Sequence, residues 1–279
     1  MRFGIKTAPQ HTTWTDMLDV WRAADDIELF ESAWNFDHFY PIFSDSDGPC
    51  LEAWTMLAAM AQATRRIRIG CQVTGMIYRH PAVLANMAAT VDVISDGRLE
   101  LGVGAGWNQQ ECDAYGIALP PLRERFDRFD EGVEALVLLL SQEHSDLDGS
   151  YVQLRNARCE PKPVQRPHPP IAIGGNGPTR TLRTVARFAQ HWNSISGVAE
   201  WPAINAVLDE RCAEIGRDPA TIDRSVMLRY DVAAGVGPLV DDAAAFAEAG
   251  VDIGVVYLPV PHTPAVLEPI ADALRPLAG

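Results

Sequence analysis

Along the 279-residue chain, short apolar runs alternate with helical patterns eight times. No other feature restricts the fold as strongly. Phe3–Thr7 reads as a strand, and over Trp14–Glu31 the residues Met17, Leu18, Trp21, Ala24 and Leu29 recur at near-helical spacing. Ala33–Phe36 gives a second strand ending at Asp37-His38, and a Gly/Pro/Asp-rich loop separates it from a helix over Glu52–Ala63. Ile67–Val73 is the third strand, followed by a helix from Pro81, a residue suited to a first helical turn, to about Ile94. Leu99–Val103 is the fourth, and a long loop leads from it to a helix from about Arg125 to Ser141. A hairpin around Asp148-Gly149-Ser150 and a proline-rich stretch, Pro161–Pro170, form an excursion rather than a new domain. Four more strands follow, at Ile171–Ile173, near Trp192–Ile195, about Ser225–Val232 and Ile253–Tyr257, each with a helical pattern after it.

Eight such units predict an α/β fold, a (β/α)8 TIM barrel with an insertion segment, as a single domain over residues 1–279. Barrels of this kind typically take roughly 250 residues. A doubly wound sheet is the competing architecture. It would need a glycine fingerprint after the first strand, where Thr7-Ala8-Pro9-Gln10 has no glycine.

Charge and composition exclude several functions. With 37 acidic and 23 basic residues and a net charge of −14, the chain repels a phosphate backbone, so nucleic acid is not an expected partner. No run approaches the roughly 18 apolar residues of a membrane span, and the N-terminus lacks a signal-peptide pattern, so a cytoplasmic protein is expected. The five cysteines are widely spaced, and neither they nor the histidines form CxxC or HExxH patterns, which argues for free thiols and no metal.

Active sites of barrels form at the C-terminal ends of the strands. Five such ends carry informative residues: Asp37-His38, Val73-Thr74-Gly75, Gly104–Asn108, Gly174–Gly177 and Trp192-Asn193. The Asp37-His38 pair suits a tuned proton donor, or equally a loop histidine with a capping aspartate. Gly104, Gly106 and Trp107 suit either the wall of a flat ligand or a tight turn with a core tryptophan. Gly174-Gly175-Asn176-Gly177, with Pro178 placed at a first helical position and Thr179 and Arg180 near, reads as an anion cradle or as a permissive βα loop. No Gly-x-Ser-x-Gly elbow is present, and Cys71 has no base that the sequence can place beside it. The mixed charges of Arg123–Glu131 read as a solvated, salt-bridged helix face.

Longer motifs extend over nearly the whole chain: "NFDHF" at Asn35–Phe39, "VTGMIYRHPAVLANMAATVDVISDGRLELGVGAGWN" at Val73–Asn108, "AYGI" at Ala114–Ile117, "RFDRFDEG" at Arg125–Gly132 and "EPKPVQRPHPPIAIGGNG" at Glu160–Gly177. Together they resemble the bacterial luciferase-like monooxygenase superfamily, in particular its coenzyme F420-dependent oxidoreductases. The resemblance implies a (β/α)8 barrel that binds F420, or alternatively FMN, at its C-terminal mouth and acts on a small-molecule substrate as a homodimer. It implies that Asp37 and His38 lie beside the ring, with His38 near the hydride-carrying carbon as the catalytic residue. It further implies that Cys71, Gln72, Val73 and Thr74 form a bulge, often with a non-proline cis peptide, behind the ring. Gly106, Trp107 and Asn108 would then flank the ring, and Gly174, Gly175, Asn176 and Gly177 would take the cofactor phosphate. The sugar-phosphate dehydrogenases of the group carry a catalytic glutamate close to where Trp107 stands, so their substrate does not carry over. An FMN-dependent monooxygenase and a non-catalytic cofactor-binding homologue are the alternative readings.

Overall fold

A computed structural model describes residues 1–279. In chain order its elements are β1 (Arg2–Lys6), α1 (Trp14–Asp26), β2 (Phe30–Asn35), α2 (Ala53–Ala63), β3 (Arg68–Cys71), β4 (Thr74–Gly75), α3 (Pro81–Ile94), β5 (Leu99–Gly104), α4 (Gln109–Tyr115) and α5 (Leu122–Ser141). After the hairpin β6 (Ser145–Asp148) and β7 (Gln153–Ala157) come β8 (Ile171–Gly174), α6 (Thr181–Phe188), β9 (His191–Ser194), α7 (Trp201–Glu214), β10 (Asp223–Arg229), α8 (Gly237–Glu248), β11 (Ile253–Tyr257) and α9 (Leu267–Leu274).

The principal sheet is parallel and closed. Its order is β3-β2-β1-β11-β10-β9-β8-β5-β4, and the β3–β5 pairing of Ile69 with Leu99 and Gly70 with Glu100 completes the ring. β3 and β4 are two pieces of one barrel strand, so the ring has the eight strands that the alternation predicts. No helix is long and apolar enough to cross a membrane.

Strand alternation sends one set of side chains outward and the other into the lumen. The outward set joins the helices in a cluster of 59 buried residues, where Trp192 of β9 stacks on Trp201 of α7 at 5.3 Å. The lumen holds a smaller apolar group, Trp34, Ala172, Ile253 and Val255, above a polar floor. In that floor Glu100 accepts from Arg68 Nε at 2.8 Å and pairs with His191 Nδ1 at 3.0 Å, while Asn193 donates to Ser225 Oγ. Asn193 therefore belongs to the barrel's interior packing rather than to its mouth.

The strand break is built by glycine. The Gln72–Val73 peptide is cis. A Cβ on Gly102 would lie 1.8 Å from the Cys71 carbonyl oxygen, and one on Gly104 would lie 2.8 Å from Val73 Cγ2. Only bare backbone on β5 lets the 71–73 segment lean this far toward it.

Three expectations from the sequence change. Helix α1 ends at Asp26 and not near Glu31, because Ile27 is extended and Phe30 already pairs in β2 beside Phe3. The loop predicted after the fourth strand contains a helix, α4. Pro178 is not a first helical residue: it lies in a turn, and α6 starts at Thr181.

Candidate active site

A cavity of about 580 Å³ opens at the C-terminal ends of the strands. That size falls within the ordinary range for small-molecule sites. Of the residues singled out from sequence, Asp37, His38, Gln72, Val73, Gly75, Gly106 and Trp107 line it.

His38 is held by a carboxylate far away in sequence. Its Nδ1 contacts Glu111 Oε1, while the other carboxylate oxygen accepts from the Phe39 backbone N–H at 2.7 Å and Oε1 also accepts from Tyr78 Oη at 3.1 Å. Glu111 is fully buried. Burial alone would raise its carboxyl, but the hydrogen bonds from His38, Phe39 and Tyr78, with the His38 charge, outweigh burial and hold it below the ordinary carboxylate range. An ionised carboxylate only accepts, so the network assigns the proton to His38 Nδ1. Nε2 makes no hydrogen bond within the chain and belongs to the cavity side of the ring. Edge-on contacts with Phe36 and Trp107, both at 5.3 Å, complete the cage around the imidazole.

Asp37 does not orient His38 as the sequence pair suggested. Its two oxygens are taken by Arg79, whose Nη2 also donates to Glu52 Oε1 at 2.7 Å. The resulting buried ion-pair network fixes the β2 end against the start of α3 and leaves the imidazole to Glu111. Glu111 is the residue that sequence reasoning missed. A signal existed: Asn108 and Glu111 stand at the N-cap and N3 positions of α4, the spacing of a capping box. Asn108 does cap the helix, accepting from Gln110 N at 3.1 Å, and does not line the cavity.

The bulge divides into two faces. Gln72 is 3% exposed, lines the cavity, and has no hydrogen-bond partner for either Oε1 or Nε2. Buried amides without partners are rare in folded chains, and this one faces a cavity. Cys71 and Thr74 point the other way. Thr74 accepts from Trp54 Nε1 at 2.9 Å, and burial pushes the Cys71 thiol up, which removes it as a nucleophile. Beneath the bulge, buried Lys6 donates to the Gln72 carbonyl at 2.7 Å. Burial lowers the Lys6 ammonium to about 8, against a smaller opposing effect of Cys71. Lys6 was not anticipated, because the sequence reading of β1 looked for glycines and not for a cation among apolar neighbours.

The Gly174–Gly177 loop sits beside the cavity without lining it. Gly174 approaches Val73, so the loop abuts the bulge. Gly175 has φ +116°, its N–H donates to Asn193 O at 3.0 Å, and the Asn176 carboxamide is hydrogen-bonded to Ser194. The backbone N–H groups of Asn176, Gly177, Thr179 and Arg180 have no partner within the chain. The Arg180 guanidinium is already committed to Asp127 and Asp130 and adds no free charge.

A family model described as luciferase-like monooxygenase matches residues 1–275. The chain belongs to this family. An uncharacterised protein of Mycobacterium tuberculosis (strain ATCC 25618 / H37Rv) is 34% identical over 201 residues, which cover 72% of this chain and 67% of that protein. The F420-dependent glucose-6-phosphate dehydrogenase of Microbacterium testaceum is 32% identical over 198 residues, 71% of this chain and 57% of that enzyme. The chain thus spans little more than half of that dehydrogenase. Among solved structures, the coenzyme F420-dependent tetrahydromethanopterin reductase from Methanopyrus kandleri shares the fold with a TM-score of 0.84 at 20% identity, covering 100% of this chain and 99% of the other.

Proposed function

We propose that this luciferase-like barrel is a coenzyme F420-dependent oxidoreductase that transfers a hydride between the deazaflavin and a small organic substrate. The observation that carries the reading is the juxtaposition, in one cavity, of His38 with Nδ1 committed to Glu111 and Nε2 uncommitted, and the partnerless Gln72 carboxamide. The relatives' names support the choice of cofactor.

When bound, F420 supplies hydride chemistry, because carbon replaces the central reactive nitrogen of a flavin. The residues present fit it. Gln72 offers one donor and one acceptor to the polar edge of a flat ring. Gly106, at φ +83° with the Ile77 side chain where a Cβ would stand, is a backbone position on the cavity wall that only glycine fills without displacing Ile77. The unpartnered N–H groups of Asn176, Gly177, Thr179 and Arg180 suit a phosphate. His38 Nε2 takes up or delivers the proton that accompanies the hydride, and Glu111 keeps that nitrogen available by holding the other proton on Nδ1. The reading places the enzyme in the cytoplasm as a homodimer.

Fluorescence titration with F420, with FMN, and with the F420 chromophore lacking its phosphate and tail tests the proposal. F420 is expected to bind most tightly and the truncated chromophore more weakly. Tight FMN binding with none for F420 refutes the reading, and equal affinity for F420 and its chromophore removes the phosphate site.

A further inference from the structure

Three neighbouring barrel strands end in register on one stretch of the cavity wall. Lys6 of β1 is opposite Tyr257 of β11, and Arg229 of β10 is opposite Tyr257 on its other side. Residues in register on parallel neighbours point to the same face of the sheet, and all three line the cavity. The spacing between strands of about 4.8 Å sets the Cα atoms of Lys6 and Arg229 about 10 Å apart. The row starts beside β2, whose end carries His38, and runs away from it around the rim.

Neither cation has a carboxylate. Arg229 makes no ion pair or side-chain hydrogen bond within the chain, and Lys6 uses one of its three N–H groups, on the Gln72 carbonyl. Arg22, Arg123 and Arg158 also lack a side-chain partner, but none of them lines the cavity, so their charges meet only solvent. In a chain of net charge −14, Arg68, Arg79, Arg180 and Arg224 each hold an acidic side chain. Asp37 is the one carboxylate lining the cavity, and Arg79 occupies it. Between the two cations, the Tyr257 hydroxyl also has no partner within the chain. Burial lowers Lys6 to about 8, as expected of a cation set in place without its counter-charge.

The backbone next to the row is paired: Thr7 N donates to Trp34 O, Leu258 N to Lys6 O and Tyr230 N to Tyr257 O, so the free N–H groups of Ala8, Asp231 and Val260 are scattered over three strand ends rather than gathered into one loop cluster. A phosphate site would use such a cluster, and the loop from Asn176 to Arg180 supplies one elsewhere. Two separated cations and one hydroxyl match a two-oxygen monoanion, for which the arginine fork is well shaped. Phe36, Ile42, Met227 and Trp107 leave the remainder of the wall for an apolar body.

We propose that Lys6, Tyr257 and Arg229 form a carboxylate-binding subsite, so that the substrate of this oxidoreductase is an organic acid whose carboxylate is held there while its reacting carbon lies on the His38 side. The inference rests on the hydride-transfer reading of the same cavity. Calorimetric titration of benzoate, benzamide and phenyl phosphate into the full-length protein, with and without saturating F420, tests it. Benzoate is expected to bind at least tenfold more tightly than benzamide and no more weakly than phenyl phosphate. Arg229→Met is expected to reduce benzoate affinity at least tenfold while leaving benzamide affinity and the F420 titration unchanged. Lys6→Met is expected to reduce benzoate affinity likewise, with its melting curve and F420 titration measured alongside because Lys6 also holds the Gln72 carbonyl in the bulge; Arg229→Met carries the test if that variant fails to fold or loses F420. Equal affinity for benzoate and benzamide, preference for phenyl phosphate, or benzoate binding that survives Arg229→Met overturns the proposal. A tenfold loss of F420 affinity in Arg229→Met also overturns it, by assigning the arginine to the cofactor. Benzoate preference without any F420 binding leaves the carboxylate site standing and removes the hydride-transfer reading alone.

Discussion

Glu111→Gln keeps the side chain's shape and removes its charge, and the surrounding donors turn that small change into a defined conflict. The carboxylate accepts from His38 Nδ1 and Tyr78 Oη on one oxygen and from Phe39 N on the other. A carboxamide has a single oxygen and a donating NH2 group. With its oxygen toward His38 and Tyr78, the NH2 group meets the Phe39 N–H, donor against donor, at a position now spanned by a 2.7 Å bond. With the amide reversed, the NH2 group meets Nδ1, and the imidazole must move its proton to Nε2. Either arrangement strands a buried polar group or exchanges the tautomer. An unsatisfied buried group costs about 1–3 kcal/mol, so about 2 kcal/mol is expected here. For a chain of this size the melting temperature then falls by about 3–4 °C. Heteronuclear NMR of the imidazole reads the tautomer directly and needs no substrate: Nδ1–H is expected in the native protein and an Nε2–H fraction in the variant. Once a substrate is in hand, turnover is expected to fall by about 10- to 100-fold, less than the roughly 100- to 10,000-fold a positioned proton donor supplies, because the imidazole itself remains. F420 affinity should be unchanged. A native ring carrying its neutral proton on Nε2, or a variant with an unaltered ring spectrum and melting temperature, refutes the reasoning.

Three further perturbations probe the frame around the site. Gly102→Ala places a methyl group 1.8 Å from the Cys71 carbonyl oxygen, a backbone atom with little freedom to give. A loss of about 3 kcal/mol or more in chemical denaturation is expected, with F420 binding impaired, and an unchanged midpoint would falsify the packing argument. Phe43→Ala removes a ring that is 90% exposed and stacked on Trp107 at 5.5 Å, so stability should stay within about 0.5 kcal/mol while affinity for an aromatic ligand drops by about 2- to 12-fold. Equal ligand affinities in the two proteins would show that the stack does not face the ligand. At the lumen floor, burial acts to raise the Glu100 carboxyl, but hydrogen bonds and charge from His191 and Arg68 win and hold it at about 2 against an ordinary 4.5. Because the folded value is the lower, this stabilisation is present above pH 4.5 and fades as pH falls toward 2, up to about 3 kcal/mol in all. Acid titration of stability should therefore be shallower for Glu100→Gln than for the native chain across that window, and parallel curves would rule the network out as the cause.

The fold was legible because its signal is local and repeated. Pro81–Ile94 and Ile253–Tyr257 match the observed α3 and β11, since their apolar periodicity is bounded by unambiguous proline, serine, aspartate and glycine signals. Ends failed where two periodicities overlap: Leu29 continues the spacing of α1, yet Ile27 has left the helix and Phe30 belongs to a strand. The motif resemblance that named the luciferase-like family agrees with the family model over residues 1–275. The site was legible only in outline, because its decisive contacts cross long stretches of sequence. His38 and Glu111 are 73 residues apart, and adjacency suggested Asp37 instead. Asp37 and His38 both lie past the last residue of β2, where Arg79 takes the two aspartate oxygens, whereas a carboxylate from another barrel unit meets the ring. Strand alternation explains why Cys71 separates from Gln72 and why Asn193 separates from Trp192. It also explains how Lys6 and Arg229 share a wall: strand register, not sequence distance, decides which charges meet, and β11 carries the register between them. A barrel sequence read unit by unit therefore shows what each strand end carries, and the closed sheet decides which of those ends act together.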